Sequence, residues 1–225
     1  MNNFSKYSDI NAVMRKAEET LQNINQKYQV FLNQPVNDEF LVDIKDYFGN
    51  LRSALDYLGQ KIPNFNDNFP ITNSNKNFVN KIKGKNINQD IEHILEKLQP
   101  YNENSWLQWF SILNNKSKHL TLIPQKRKET KEFSIKKDGG SLTARGCTFR
   151  GNVKFGVGGV SVPIDERSQF PLDTPGVEIQ RTIWIDFLFD DNVSPDLPNN
   201  ISVLPFLNLC FENIKKIILE IEALI

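Results

Sequence analysis

The sequence has few of the residues that metal-bound or disulfide-stapled domains need. Its 225 residues include two cysteines, Cys147 and Cys210, and two histidines, His93 and His119. These four side chains share no metal-ligand spacing, so the sequence predicts neither a zinc site nor a disulfide scaffold. We therefore expect a protein with no metal and no cofactor.

Long hydrophobic runs and a net charge are also absent. The longest apolar stretches, 183–189 and 217–225, are interrupted by acidic residues. Both are shorter than the roughly 20 residues that a membrane helix needs. Basic and acidic side chains number 27 each, so the total charge gives no general attraction to nucleic acid or to a membrane surface. Because the N-terminus shows no apolar segment, the sequence predicts a reducing, cytoplasmic location without membrane contact.

The chain does contain enough apolar material for an ordinary folded core. Hydrophobic residues make up 39% of the sequence and aromatic residues 11%, which is typical of one globular domain spanning 1–225. Composition by itself assigns no function beyond that.

Apolar residues that recur every three or four positions predict helices over much of the chain. The predicted helices cover about 7–32, 37–60, 88–98, 103–118 and 205–224. Asn33-Gln34-Pro35 separates the first two, which are long enough to form an antiparallel helical hairpin. Residues 61–88 are rich in Asn, Lys and Pro, and we expect them to form a loop that wraps the bundle.

After His119 the period changes to that of β-strands. The predicted strands cover about 120–123, 132–135, 141–149, 153–157 and 177–189. Asp138-Gly139-Gly140 is typical of a hairpin turn. The sequence therefore predicts an α+β, mainly α fold with a helical bundle over 1–119. A small antiparallel β-sheet is inserted over 120–190, and a C-terminal helix over 203–225 packs back on the bundle.

Arg52 and Asp56 are the first pair of side chains that could carry chemistry. They are four residues apart on the second predicted helix and flank its apolar stripe. One interpretation is an ordinary helix salt bridge. The other is a charged pair at the edge of a cleft, in which Asp56 orients Arg52 toward an anion.

The end of the fourth predicted helix carries a second polar group. If the helix persists to His119, then Asn115, Lys118 and His119 share one face. Imidazole can act as a general base, and a neighbouring lysine can stabilise a phosphorane-like charge. The alternative is a set of cations that the helix dipole favours at a C-terminus, with His119 as a cap.

The middle third of the chain has a local excess of positive charge. Residues 61–137 carry 14 basic and 7 acidic side chains. This stretch is either a solvated surface or a track for a phosphate backbone beside His119. Aromatic residues suited to base stacking are scarce there, which weakens the nucleic-acid interpretation.

Four short segments occur in a fixed order between residues 37 and 124. They are LRSALDY at 51–57, FPI at 69–71, LQPY at 98–101 and NKSKH at 115–119. As a set they resemble a group of uncharacterised bacterial proteins that is similar to the HEPN superfamily. HEPN domains are helical and often dimeric, and many cleave RNA in toxin and phage-defence systems. The resemblance implies a homodimer, an RNA or nucleotide ligand and a partner protein from the same system.

The HEPN hallmark is an arginine, a polar residue, three to five further residues and a histidine. Asn115 and His119 match the polar residue and the histidine, whereas Asn114 stands where the arginine is expected. Arg52, on the neighbouring helix, is the available substitute. The candidate catalytic residues are therefore His119, Arg52 and Lys118. The candidate substrate-binding residues are Asn115, Asp56 and Lys116.

Three functions follow from these residues. The first is a binding or effector protein that holds RNA or a nucleotide in a polar cleft between helices. The second is an active, metal-independent ribonuclease with His119 as general base. The third is a structural or protein-interaction module in which the polar pairs fix how two helices pack. Because the hallmark arginine is absent, we place binding first.

Overall fold

The computed structural model shows the predicted α+β, mainly α fold. It describes residues 3–31, 36–119, 122–137, 140–147, 153–164 and 176–225. The helices are α1 (Ser8–Phe31), α2 (Asp38–Lys61), α3 (Asn75–Ile82), α4 (Gln89–Lys97), α5 (Ser105–His119) and α6 (Val203–Glu222). The strands are β1 (Gln125–Lys137), β2 (Gly140–Arg145), β3 (Val153–Val157), β4 (Val160–Ile164) and β5 (Glu178–Phe189). Within these residues no helix is both long and apolar enough to cross a membrane.

The chain divides into two units by its internal contacts. The helical unit consists of Met1–Lys126 and Phe187–Ile225 and includes all six helices of the described chain. The sheet unit, Arg127–Asp186, lies between these two parts in sequence. The prediction of an antiparallel sheet inserted before the last helix is thereby confirmed.

Contacts at both ends show that α1 and α2 form the predicted antiparallel hairpin. Lys61, at the end of α2, lies 2.8 Å from Asp9 in the first turn of α1. At the other end, the rings of Phe31 and Phe40 have centroids 5.0 Å apart. Asn37 caps α2, because its side chain accepts a hydrogen bond from the Phe40 amide at 3.0 Å.

The core of the helical unit surrounds the buried ring of Phe48 on α2. That ring packs against Phe110 of α5, Phe189 at the end of β5 and Phe206 of α6, with centroids 5.8, 6.2 and 6.4 Å away. The hydroxyl of Tyr47 donates a 2.7 Å hydrogen bond to a carbonyl of α6. Aromatic contacts and a satisfied phenol therefore hold α5, α6 and the end of β5 on the hairpin.

The two points at which the chain passes between the units lie side by side in the helical unit. The amide of Asp190 donates to the carbonyl of Pro124 at 3.1 Å, and Lys126 Nζ lies 2.9 Å from the Asp190 carboxylate. Hydrogen bonds from the Asn192 amide and from Lys126 lower the pKa of Asp190. The sheet unit is thus inserted between two neighbouring positions.

In the sheet unit the strand order is β2-β1-β5, with β3 and β4 forming a separate hairpin. β1 and β2 are antiparallel, and their register ends at Lys137 opposite Gly140. Residues 138 and 139 of the predicted turn, which follow Lys137 in sequence, are outside the described chain. Among the described side chains of this unit, the buried apolar ones are Phe133, Ile135, Val157 and Val162.

Several predicted element boundaries were wrong. The predicted loop 61–88 contains α3, which Ser74 caps by accepting from the Asn77 amide at 3.3 Å. Phe78 is the one buried residue of this eight-residue helix, so it shows no apolar stripe. β4 was not predicted. β1 begins well before 132–135, because its first half is a run of consecutive exposed charged residues, 126–129, that shows no apolar alternation. Leu122 and Ile123 lie outside any strand, whereas 120–121 and 148–149 are outside the described residues.

Two glycines of α2 meet different surroundings. A Cβ on Gly59 would overlap the carbonyl oxygen of Asp67 and lie 2.9 Å from the Phe69 amide nitrogen. A Cβ on Gly49 would have no atom within 4 Å apart from its chain neighbours and the backbone of its own helix. The segment after α2 therefore runs against the helix backbone at Gly59.

We expect Gly59→Ala to lower the free energy of unfolding by about 1–3 kcal/mol, because the backbone at Asp67 and Phe69 must shift. Gly49→Ala is the matched control and should raise it by roughly 0.5–1 kcal/mol through helix propensity. Urea unfolding of both variants measures the difference. Equal midpoints for the two variants would contradict this account.

Candidate functional site

Arg52 and Asp56 form a two-contact ion pair on α2, with both side chains mostly buried. Arg52 Nε lies 3.0 Å from Asp56 Oδ2, and Arg52 Nη2 lies 2.7 Å from Oδ1. The pair also binds one residue of the following segment through its backbone. Arg52 Nη2 donates to the Phe69 carbonyl at 3.2 Å, and the Phe69 amide donates to Asp56 Oδ1 at 3.2 Å. Arg52 and Asp56 therefore hold the backbone of Phe69 between them, and we call them the Phe69 clamp.

Gln99 holds the next residues of the same segment. Its side chain is fully buried, and Nε2 donates to the Pro70 carbonyl at 3.0 Å and to the Leu95 carbonyl at 2.7 Å. Its Oε1 accepts from the Thr72 amide at 2.8 Å and from the Thr72 hydroxyl at 3.0 Å. One side chain thus satisfies four buried or half-buried polar groups.

Three of the four segments that carry the HEPN resemblance meet at this place. LRSALDY supplies the clamp, FPI supplies the backbone that is held, and LQPY supplies Gln99. Gln99 is not among the site residues that the sequence predicts. Its only signal was a polar residue beside Pro100 in a segment that the resemblance already marked.

Asp67 fixes the segment to α3 and the residues that follow it. Its carboxylate lies 2.9 Å from Lys81 and 3.3 Å from Lys85. The hydrogen bond from Lys81 is the largest of the effects that lower the pKa of Asp67 to about 2. Lys85 also donates to the Phe65 carbonyl at 2.6 Å and lies 4.4 Å from the centroid of its ring. Part of the basic excess of residues 61–137 therefore serves structural contacts.

The fourth segment, NKSKH, forms the last turn of α5. Asn114, at the position of the missing hallmark arginine, is only 2% exposed. Its Oδ1 is buried without a hydrogen-bond partner among the described residues, and Nδ2 donates to Asn115 at 3.4 Å. Lys118 is exposed and Lys116 is half-buried. The side chain of His119, the predicted general base, is outside the described part of the chain. The predicted proximity of His119 and Arg52 therefore stays a prediction.

A polar cleft of about 770 Å³ lies between α1, α2 and the end of α5. Its lining includes Lys16 and Asn23 of α1, Asn50 and Ser53 of α2, and Lys118 of α5. Lys118 is thus a predicted site residue that faces a cavity. Arg52 and Asp56 are not part of this lining, although Ser53 directly follows Arg52 in sequence.

Most charged groups of the polar cleft are already paired. The ion pairs are Lys16–Glu19 at 3.4 Å, Lys27–Asp43 at 2.7 Å and Lys45–Asp46 at 3.9 Å. Asn23 adds a 3.1 Å hydrogen bond to the Asp43 carboxylate. Lys118, by contrast, forms no ion pair with a described residue. It is therefore the lysine of this cleft that can offer its full charge to an anion.

No cluster of three or more His, Cys, Asp or Glu side chains that could bind a metal occurs in the described part of the chain. Comparison with family models, with curated proteins and with solved structures finds no match to this sequence.

The Phe69 clamp makes a prediction for stability. Arg52→Lys should lower the free energy of unfolding by about 1–2 kcal/mol, because an ammonium cannot bind the carboxylate and the Phe69 carbonyl in the same fork geometry. Lys16→Gln removes an exposed ion pair and should change it by less than about 0.5 kcal/mol. Urea unfolding compares the two. An Arg52→Lys protein as stable as the wild type would show that the clamp has no structural role.

The ion pairs of Asp67 make a prediction for pH. Its folded pKa is lowered to about 2 from 3.8, so its stabilising contribution is complete above pH 3.8 and is lost as the pH falls toward 2. Asp67→Asn should therefore cost about 1 kcal/mol at neutral pH, less than the full shift because the side chain is one-third exposed. The difference from the wild type should vanish near pH 2.

Chemical unfolding of both proteins at several pH values measures this difference. A constant gap between pH 6 and pH 2 would mean that the carboxylate charge is not the source of the stabilisation.

Proposed function

We propose that this protein is a HEPN-like binding or effector module that holds RNA or a nucleotide in the polar cleft. One observation carries the proposal: Lys118, which is free of ion pairs with the described residues, lies on a cavity of about 770 Å³. That volume is in the range of small-molecule sites in proteins. A lysine without a carboxylate partner is a common binder of phosphate.

Neutral polar side chains support the same ligand class. Asn50 and Ser53 of α2 line the cleft together with Asn23 of α1. Amides and hydroxyls can bind the edges of a base or a ribose. The paired carboxylates in the cleft would repel a highly charged polyanion, so the geometry favours a nucleotide or a short single-stranded segment over a long phosphate backbone.

The contacts of Arg52 favour binding over cleavage. A catalytic arginine must place its charge on the phosphate in the transition state. Arg52 instead binds Asp56 twice and the Phe69 carbonyl once, and it does not line the cleft. It would have to leave these partners before it could serve a reaction.

The biological setting rests on the resemblance to HEPN proteins. On that basis we propose a role in a toxin or phage-defence system, with a partner protein and a homodimer as further expectations. Metal-independent ribonuclease activity with His119 as general base is the alternative that the test must exclude.

Lys118→Gln should weaken the binding of a short single-stranded RNA or of a nucleoside triphosphate about tenfold at low salt, because one charge-assisted contact is lost. Lys76→Gln is the matched control, since Lys76 is an exposed lysine on α3 that forms no ion pair with a described residue. Fluorescence anisotropy of labelled RNA and calorimetry of the triphosphate measure both. Equal affinities for the two variants would reject the polar cleft as the site.

The cleavage alternative has its own readout. The wild type and His119→Ala are incubated with RNA in the presence of a chelator, and the products are separated on a gel. We expect intact RNA with both proteins. Cleavage by the wild type that His119→Ala abolishes would instead establish the ribonuclease.

A further inference from the structure

A second cavity, of about 430 Å³, lies between α4, the start of α5 and α6. We call it the α4–α6 groove. It shares no lining residue with the polar cleft. Asn104, which precedes α5, donates a hydrogen bond from its side chain to the carbonyl of Lys97, so the end of α4 is tied to the beginning of α5.

Trp106 gives this groove an aromatic wall. It is half-buried and packs against the core, and no other aromatic ring among the described residues stacks on it. Trp109, one turn further along α5, differs because its ring packs against Phe206 at 6.1 Å. Ile94 and Ile217 supply apolar surface beside Trp106. One side of the groove is thus suited to a flat, apolar ring.

The rest of the groove lining is mostly polar and includes basic side chains and an amide. Lys97 of α4 lines it and forms no ion pair with a described residue, and His93 lies one turn before it. On α6, Lys216 lies 3.7 Å from Glu220, which also lines the groove, so the charge of Lys216 is partly offset, as are those of Lys16 and Lys45 in the polar cleft. Asn213 lies on the same side of α6, and its amide forms no hydrogen bond with a described residue.

We propose that the α4–α6 groove binds a planar aromatic ring that carries one anionic group. The ring stacks on Trp106, and Lys97 holds the anion. Stacking on an aromatic side chain tolerates many flat rings, and lysine binds phosphate and carboxylate alike as a point charge. The volume of the groove accommodates a ligand of the size of a nucleoside monophosphate or an aromatic carboxylate.

Calorimetry with the full chain tests the proposal with four probes. Adenosine 5′-monophosphate and indole-3-acetate each contain a flat ring and an anion, so they distinguish the two sources of this chemistry. Adenosine lacks the anion, and ribose 5-phosphate lacks the ring. We expect saturable binding of at least one of the first two. If the monophosphate binds, adenosine and ribose 5-phosphate should each bind about tenfold more weakly than it does.

Two variants place the binding in this groove. Trp106→Leu and Lys97→Gln should each weaken it about tenfold, the first through lost stacking and the second through a lost charge. Trp109→Phe and Lys76→Gln are the matched controls and should bind like the wild type. Circular dichroism checks that each variant is folded. If Trp106→Leu is unfolded, the affinity of Lys97→Gln alone tests whether the ligand binds in this groove.

The same titrations separate this groove from the polar cleft. Lys118→Gln should leave the binding of both ring anions unchanged, so a failure of the proposed function does not affect the result here. The proposal is overturned if neither ring anion binds at millimolar concentration. It is equally overturned if binding survives in both Trp106→Leu and Lys97→Gln.

Discussion

The irregular segment from Phe69 to Thr72 can pack against the helices only because side chains satisfy its backbone. A buried amide or carbonyl without a partner costs about 1–3 kcal/mol, so a chain without helix or strand needs other donors and acceptors. The Phe69 clamp forms hydrogen bonds with the backbone of Phe69, and Gln99 forms hydrogen bonds with the backbone of Pro70 and Thr72. The close approach at Gly59 brings the segment within reach of these groups. The connection between α2 and α4 therefore has a defined path.

This constraint changes how the four segments that suggested the HEPN resemblance should be interpreted. Charged residues that recur in a motif suggest catalysis, because reactions need charge in a fixed place. Here Arg52 and Asp56 neutralise each other and bind a backbone, while the polar cleft lies elsewhere on α2. Of the predicted site residues on α5, Lys118 faces that cleft. Charged residues in a motif can therefore hold a loop in place and need not take part in catalysis.

Long elements with a regular apolar face were predictable from the sequence, and short or tertiary features were not. The helices of the hairpin and α6 bury a residue at nearly every turn, so their period is visible. α3 has one buried side chain in eight residues and gave no such signal. The four-residue spacing of Arg52 and Asp56 indicated their ion pair, but their contact with Phe69 depends on how the chain folds back. The polar cleft likewise combines residues of three helices.

The neighbouring positions of Pro124 and Asp190 also bear on how such a fold can vary. Because one hydrogen bond joins these residues, a short turn between them would be enough to connect the two parts of the helical unit. The chain enters α6 along the same path whether the connection is a short hairpin or a long insertion. Lengthening a loop adds little closure entropy, about 0.6 kcal/mol for each doubling. The strands between residues 127 and 186 therefore form an insertion. Evolution can lengthen or shorten this insertion while the helices stay in place.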